Sequence, residues 1–203
     1  NANTAGMFSY ADGENIKNVD ITNAKNITQD ILNEYVKGLK NTNATSVDLS
    51  NFSLAPTVRS LKGLFQNMPN LKSVNLRGFD TSNITDMSDM FNGDTSLSHV
   101  DLSGIDTSHV TNMNFMFAST QSLADLDLSG LDTSSLQRAE DMFYNATGLR
   151  NVNLSGWNLR NLSQASAMFF GAKNLANVNL SGWQLPDNAN TAGMFSYADG
   201  ENI

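Results

Sequence analysis

Cysteine is absent from these 203 residues, and basic residues are scarce. Without cysteine the chain has no disulfide framework, no cysteine-ligated zinc finger and no thiol nucleophile. The 12 Lys and Arg stand against 20 Asp and Glu, which gives a formal net charge of -8, and the basic residues form no run. An acidic chain gains no electrostatic attraction to nucleic acid or to an anionic membrane, so we expect neither partner.

Long apolar runs and catalytic motifs are missing as well. No stretch approaches the ~20 apolar residues of a membrane-spanning helix, so we expect no membrane insertion, and the N-terminus carries no signal-peptide pattern. His99 and His109 have no nucleophile at a motif spacing, and no GxSxG, HExxH or phosphate-binding loop occurs in its required context. The sequence therefore predicts that the protein is not an enzyme and uses no cofactor.

The chain has a repeat instead. Phenylalanine recurs at a constant interval, at Phe65, Phe91, Phe117, Phe143, Phe169 and Phe195. This interval of ~26 residues lies within the range of ~20 to ~50 residues that is typical of solenoids and repeat arrays. A Leu or Ile recurs with nearly the same period, at Ile21, Leu49, Leu76, Leu102, Leu128, Leu154 and Leu180.

A second, longer period encloses the first. The opening sixteen residues, NANTAGMFSYADGENI, recur unchanged at 188–203. We interpret residues 1–203 as one solenoid domain, with one seven-unit superrepeat over 1–187 and the first sixteen residues of the next over 188–203. We expect the sequence to be an excerpt of a longer protein, whose cut ends expose core and stack head to tail with other copies.

Each unit predicts one short strand and one helix. In LSHVDLSGIDTSHVTNMNFMF, Val100 and Leu102 alternate with polar residues as a strand does, and a Gly-containing turn follows. The next apolar residues have the spacing of one helix face: Val110, Met113, Met116 and Phe117. Strand and helix cannot bury their apolar faces alone, so stacked units should form one continuous parallel sheet with a Met and Phe core behind it.

Two local features depart from the average unit. Residues 25–45 predict a longer helix, with an apolar stripe at Ile27, Ile31, Tyr35 and Leu39. Trp157 and Trp183 occupy a column that is otherwise filled by Phe79, Ile105 and Leu131. These apolar neighbours favour a buried corner of the core over a surface on which a sugar stacks.

The repeated motifs resemble those of a known family. They are carried by VNLRGFDTSNITDMSDMFNGDTSL, at 74–97, and by VDLSGIDTSHVTNMNFMF, at 100–117. They are similar to the BspA-like leucine-rich-repeat surface proteins of Gram-positive bacteria and mycoplasmas, whose repeats are of the DUF285 type. The resemblance implies a right-handed leucine-rich-repeat-like α/β solenoid. It also implies a secreted protein attached to the cell wall or membrane, often discussed as an adhesin.

The outward side of the predicted sheet is a polar column. Its Asn, Asp and His side chains supply directional hydrogen-bond donors and acceptors on an extended face. The candidate ligand-binding residues are Asp20, Asp48, Asn75, His99, Asp101, Asp125, Asp127, Asn151, Asn153, Asn177 and Asn179. The alternative is structural, with stacked Asn side chains that hydrogen-bond to one another and Asp side chains that keep the face soluble.

Charge is densest at His99, Asp101, Asp125 and Asp127. Hard cations bind several carboxylate oxygens, but no cation-binding loop spacing occurs, so we predict no metal site. Aspartates on successive strands would lie ~5 Å apart and repel each other. Protonation near the sequence pI of 4.5 would relieve that repulsion. We therefore expect self-association or surface binding to strengthen in acid.

Two functional hypotheses follow, from different classes. The first is a repeat segment of a large cell-surface protein, an adhesin that binds a host glycoprotein, a glycan or an extracellular matrix protein through many weak contacts. The second is a structural stalk that binds nothing and projects a distal domain from the cell surface.

Overall fold

Seven three-residue strands and one helix form the regular structure of the computed structural model, which describes residues 15–198. They follow one another as β1 Asn18–Asp20, α1 Gln29–Lys40, β2 Ser46–Asp48, β3 Ser73–Asn75, β4 His99–Asp101, β5 Asp125–Asp127, β6 Asn151–Asn153 and β7 Asn177–Asn179. The predicted half-unit at residues 1–16 lies almost wholly outside the described residues, and so does the end of its second copy.

The strands pair in parallel and in register. Val47 lies opposite Val74, Val74 lies opposite Val100, and Leu126 lies opposite Val152. Each unit therefore stacks on the next as the repeat predicts, and the chain is a parallel β-solenoid. The ladder is interrupted once, because β1–β4 form one sheet and β5–β7 form another. The prediction of one continuous sheet is wrong at the β4–β5 boundary.

Alternation between two faces explains why these triplets become strands. The central Val points into the core, and Val47 and Val74 are both buried, whereas the polar residues on either side of it face outward. The recurring Leu lies one residue beyond each strand, and after β2 and β3 it continues the ladder. The N–H of Leu49 and the N–H of Leu76 each donate to a carbonyl of the next turn at 2.9 Å.

The prediction of one helix in every unit is wrong, because the described residues contain a single α-helix. The Met and Phe segments form turns whose backbone hydrogen bonds alternate in direction. The N–H of Met116 donates to Met113 O within its own turn, whereas the N–H of Phe117 donates to Met142 O of the next turn. Phe115 between them has a φ of 57°, a left-handed conformation that an α-helix excludes. Both arrangements place apolar residues three apart, so spacing alone does not distinguish them.

The longer helix predicted within residues 25–45 is confirmed as α1. Thr28 is its N-cap, and the Oγ1 of Thr28 accepts a hydrogen bond from the N–H of Ile31. Leu32 and Leu39 are buried against the solenoid. A complete cap and an apolar stripe over several turns are the features that identify a helix from sequence.

Stacked aromatic rings run through the core. Phe65, Phe91, Phe117, Phe143 and Phe169 are all 0% exposed, and neighbouring rings in this column lie 5.1 to 5.7 Å apart and nearly parallel. The predicted buried corner is confirmed at Trp157, which is 0% exposed and stacks on Trp183 at 6.2 Å. Each of the two indole N–H groups donates to a backbone carbonyl of the preceding turn.

The threonine of the DTS motif is a buried link between turns. Thr107 and Thr133 are 1% and 2% exposed. Their hydroxyls donate to the carbonyls of Asp132 and Asn158 in the next turn, at 2.8 and 3.2 Å. A buried hydroxyl needs such a partner, so this threonine both fills the core and holds adjacent turns together.

One carboxyl group lies inside the core. Asp94 is 0% exposed, in the column that Thr120 and Ala146 fill in the next two units. Its Oδ1 accepts a hydrogen bond from the N–H of Met68 at 2.8 Å, and its Oδ2 is buried with no partner among the described residues. Burial raises the pKa of Asp94 to about 8, against the opposing effects of the Met68 N–H and the positive charge of Lys40.

This pKa makes the stability of the fold depend on pH. The unfolded chain releases the Asp94 proton near pH 3.8, whereas the folded chain holds it up to about pH 8. Between these values the folded state binds more protons than the unfolded state. The free energy of unfolding therefore falls as the pH rises through this window.

We predict that Asp94→Asn removes this pH dependence. The amide Oδ1 can still accept from the N–H of Met68, and the side chain cannot ionise. At pH 8 the variant should unfold with a free energy at least ~2 kcal/mol above that of the parent chain, because each pKa unit corresponds to ~1.4 kcal/mol. Urea denaturation at a series of pH values between 4 and 8 measures the difference, which should shrink as the pH falls. Asp187→Asn, at an exposed position, is the control. If the free energies of unfolding of the parent chain and Asp94→Asn changed in parallel with pH, the prediction would be contradicted.

Candidate functional site

All the residues of the predicted binding surface lie on strands, at the first or the third position. The structure brings them onto the outward side of the two sheets, which we call the polar face. β1 to β3 contribute Asp20, Asp48 and Asn75, and β4 to β7 contribute His99, Asp101, Asp125, Asp127, Asn151, Asn153, Asn177 and Asn179. The break between β4 and β5 divides this face in two.

The Asp or Asn side chain at the third position of a strand accepts hydrogen bonds from the turn that follows. Asp101 Oδ1 accepts hydrogen bonds from the N–H and the hydroxyl of Ser103, at 2.9 and 2.5 Å. Asp127 makes the same pair of hydrogen bonds with Ser129. Asn75 likewise accepts from the N–H two residues on. This role was not predicted, although Asp or Asn two residues before Ser is a recognisable turn signal.

These hydrogen bonds keep the carboxylates charged. The Ser103 hydroxyl and then its N–H lower the pKa of Asp101, and the Ser129 hydroxyl and N–H lower the pKa of Asp127. The expected repulsion between aspartates assumed that these two lie on adjacent paired strands, but β4 and β5 are not paired. The expected strengthening in acid stays a prediction, and the net charge of the whole chain is its better physical basis.

The first position of the last three strands forms a side-chain ladder. The Nδ2 of Asn151 donates to Asp125 Oδ1, and the Nδ2 of Asn177 donates to Asn151 Oδ1, both at 2.6 Å. This is the arrangement expected if the Asn column is structural. It orients the carboxylate and amide groups in a row along the solenoid axis.

The polar face is open between β4 and β5, at a feature that we call the seam. Residues 98–105 border it on one side and residues 124–131 on the other. The N–H of Leu76 donates to Asp101 O at 2.9 Å, but the equivalent N–H of Leu102 reaches no backbone carbonyl among the described residues. No Cα of β4 lies within 8 Å of a Cα of β5, whereas neighbouring strands of a closed sheet lie ~4.8 Å apart.

A groove of about 1350 Å³ follows the seam and continues over the polar face of β6 and β7. Val100 and Leu102 are half-buried at the seam, whereas their equivalents one turn earlier, Val74 and Leu76, are completely buried. The carboxylates of Asp101, Asp125 and Asp127 border the same groove. The site therefore combines main-chain polar groups, an apolar floor and an acidic rim.

Residues 15–198 contain neither a cluster of three potential metal ligands nor a helix that could span a membrane. No group of three His, Asp or Glu in this part of the chain is arranged to hold a metal ion. No helix there is long and apolar enough to cross a membrane.

Comparisons with solved structures and with protein-family models both give matches to this chain. A leucine-rich repeat protein from Bacteroides ovatus ATCC 8483 is similar in structure, with 13% sequence identity and a TM-score of 0.43. The alignment covers 80% of this chain and 49% of that protein, so this chain spans about half of its length. No curated protein matches this sequence.

A family model does match, over nearly the whole chain. It describes a Mycoplasma protein of unknown function, DUF285, and it matches residues 2–150, 59–183 and 149–202. The three matches overlap and together span the repeated units. In the structure, the strands of successive units pair in parallel and in register. The chain belongs to the DUF285 family.

Proposed function

We propose that this chain is a repeat segment of a large bacterial protein that is attached outside the cell, on the surface or the cell wall, and acts as an adhesin. Its partner would be a host glycoprotein, a glycan or an extracellular matrix protein. The observation that carries this proposal is the polar face, on which Asp or Asn recurs at the third position of every strand and a polar residue (Asn, Ser, His or Asp) at the first. We propose no catalytic activity and no cofactor.

The proposed mechanism of adhesion is multivalent binding by the repeated strands of the polar face. Each strand presents a similar small set of donors and acceptors, so each contact with a ligand is weak. A ligand that itself repeats, such as a mucin or a matrix protein, engages several turns at once. Linked weak contacts then raise the overall affinity by a factor of about 10² or more.

A non-binding stalk is the second candidate, and a specific observation favours it. The polar groups of the face have partners within the chain, because Asp101 and Asp127 accept from the turns that follow them, and Asn151 donates to Asp125. Groups that are satisfied internally need no ligand. Under this proposal the solenoid is a spacer, and adhesion resides in another part of the parent protein.

We predict that Asp101→Asn, Asp125→Asn and Asp127→Asn, combined in one variant, weaken binding to the adhesin's ligand at least fivefold. Asn occurs naturally at the equivalent third position of β3 and β6, so the variant should keep its turns and fold normally. Binding of the chain to an array of mucins, glycans and matrix proteins identifies the ligand. Biolayer interferometry then measures the affinity of each variant for it.

The matched control combines Asp30→Asn, Glu34→Gln and Asp187→Asn. It changes the net charge by the same amount at positions outside the polar face. Equal loss in both variants would mean that net charge alone acts, and no binding anywhere on the array would favour the stalk.

We also propose that copies of the chain associate head to tail. The last described turn exposes three large hydrophobic side chains, Leu185 at 42%, Phe195 at 41% and Tyr197 at 66%. In the middle of the solenoid the next turn covers such residues. The proposed partner of this turn is the first turn of another copy, and the formal net charge of -8 opposes its approach at pH 7.

We predict that association is stronger near the sequence pI of 4.5 than at pH 7. Sedimentation velocity over a concentration series at both pH values should show a larger weight-average mass in acid. Leu185→Ser with Tyr197→Ser should reduce association at least tenfold, whereas Val36→Ser with Tyr144→Ser, at half-buried positions away from this end, should not. The same mass at both pH values, or no response to the first variant, would overturn the proposal.

A further inference from the structure

The seam leaves two facing rows of main-chain groups without partners. Where the ladder is closed, the N–H of Arg150 and the N–H of Asn151 donate to Ala124 O in the preceding turn, at 2.8 and 3.0 Å. The equivalent N–H groups of Ala124 and Asp125 reach no backbone carbonyl across the seam among the described residues. Unpaired rows of this kind are the edges to which another strand adds.

The strands at the seam are further apart than paired strands, which leaves room to ask what could lie between them. The Cα atoms of β4 and β5 are all more than 8 Å apart, and a strand inserted midway between two others needs ~9.6 Å between them, twice the usual spacing. The opening is bounded at both ends, since the hydroxyl of Ser122 donates to Thr95 O and that of Thr107 donates to Asp132 O, both at 2.8 Å. It is therefore a slot in an otherwise intact solenoid.

The residues that line the slot indicate which side chains an inserted strand should carry. Side chains on one face of an inserted strand would point inward, beside the half-buried Val100 and Leu102. Side chains on its other face would lie between Asp101 of β4 and Asp127 of β5, whose lowered pKa values keep them charged. His99 and Asp125 are the first residues of β4 and β5, two residues before Asp101 and Asp127, and they flank the inserted strand in the same way. A strand that matches both faces alternates apolar and basic residues.

We propose that the seam is a binding site for an extended segment of a partner protein in which Lys or Arg alternates with Val or Ile. The segment adds as a strand between β4 and β5, with main-chain hydrogen bonds to both edges and with its cations on the aspartates of the rim. Main-chain pairing supplies affinity, and the alternating side chains supply specificity. This site stands on the geometry of the seam and does not depend on adhesion by the polar face.

The probe is a capped seven-residue peptide in which Lys and Val alternate, titrated into the unaltered chain by isothermal calorimetry. We expect saturable binding of one peptide per chain. The same peptide with N-methylated Val residues loses N–H donors but keeps its charge, and it should bind at least tenfold more weakly. A peptide in which Glu replaces Lys should not bind. Equal binding of the N-methylated peptide, or no binding of the Lys–Val peptide, would overturn the proposal. Both results come from the unaltered protein, so misfolding of a variant cannot explain them.

A pair of protein variants localises the site. Asp101→Asn with Asp127→Asn should weaken binding of the Lys–Val peptide at least tenfold. Asp20→Asn with Asp48→Asn makes the same change of charge on β1 and β2, which are paired in register, and should weaken it less than threefold. Equal effects of the two double variants would mean that the peptide adsorbs through charge alone, and that result would also overturn the proposal.

Discussion

Every turn of this solenoid is held by stacking in register on its neighbours. A backbone N–H finds its partner one unit further along the chain, as from Leu61 to Asp86 and from Leu49 to Asn75. This fixes the length of the unit, because a unit of different length must place its extra residues outside the ladder. α1 lies outside the ladder in this way, between β1 and β2, and these two strands still pair in register. The stacked Phe rings and the buried Thr hydroxyls are consequences of the same offset, since like residues meet like residues in the next turn.

The sequence predicted the parts of the fold that this offset controls. The constant period and the alternation around each central Val lead directly to parallel strands in register. It did not predict the conformation of the Met and Phe segments, because residues three apart suit both a helix and the observed turns. What decides between them is a positive φ at one position of each segment, which Gly63 and Gly193 favour but which Phe115 does not signal. α1 was predictable because Thr28 caps it and its apolar stripe covers several turns.

The polar face could be located from sequence, but its organisation could not. Alternation alone places Asp101 and Asp127 on the outward side, whereas their hydrogen bonds to Ser103 and Ser129 depend on the turn that follows each strand. The seam has no sequence signal, since Asp20 and Asp48 are adjacent aspartates on paired strands. Neighbouring aspartates therefore do not by themselves open the ladder. The seam breaks the repetition of the face at one place, between β4 and β5.

Amide hydrogen exchange of the ¹⁵N-labelled chain, followed by NMR, tests this account most directly. If stacked turns satisfy the backbone everywhere except at the seam, the N–H groups of Leu76 and Leu128 should be strongly protected, because each donates to the next turn at 2.9 Å. The N–H of Leu102, at the same position of its unit, should exchange at least 100-fold faster. Protection of Leu102 equal to that of Leu76 and Leu128 would contradict the account and show a closed ladder from β1 to β7.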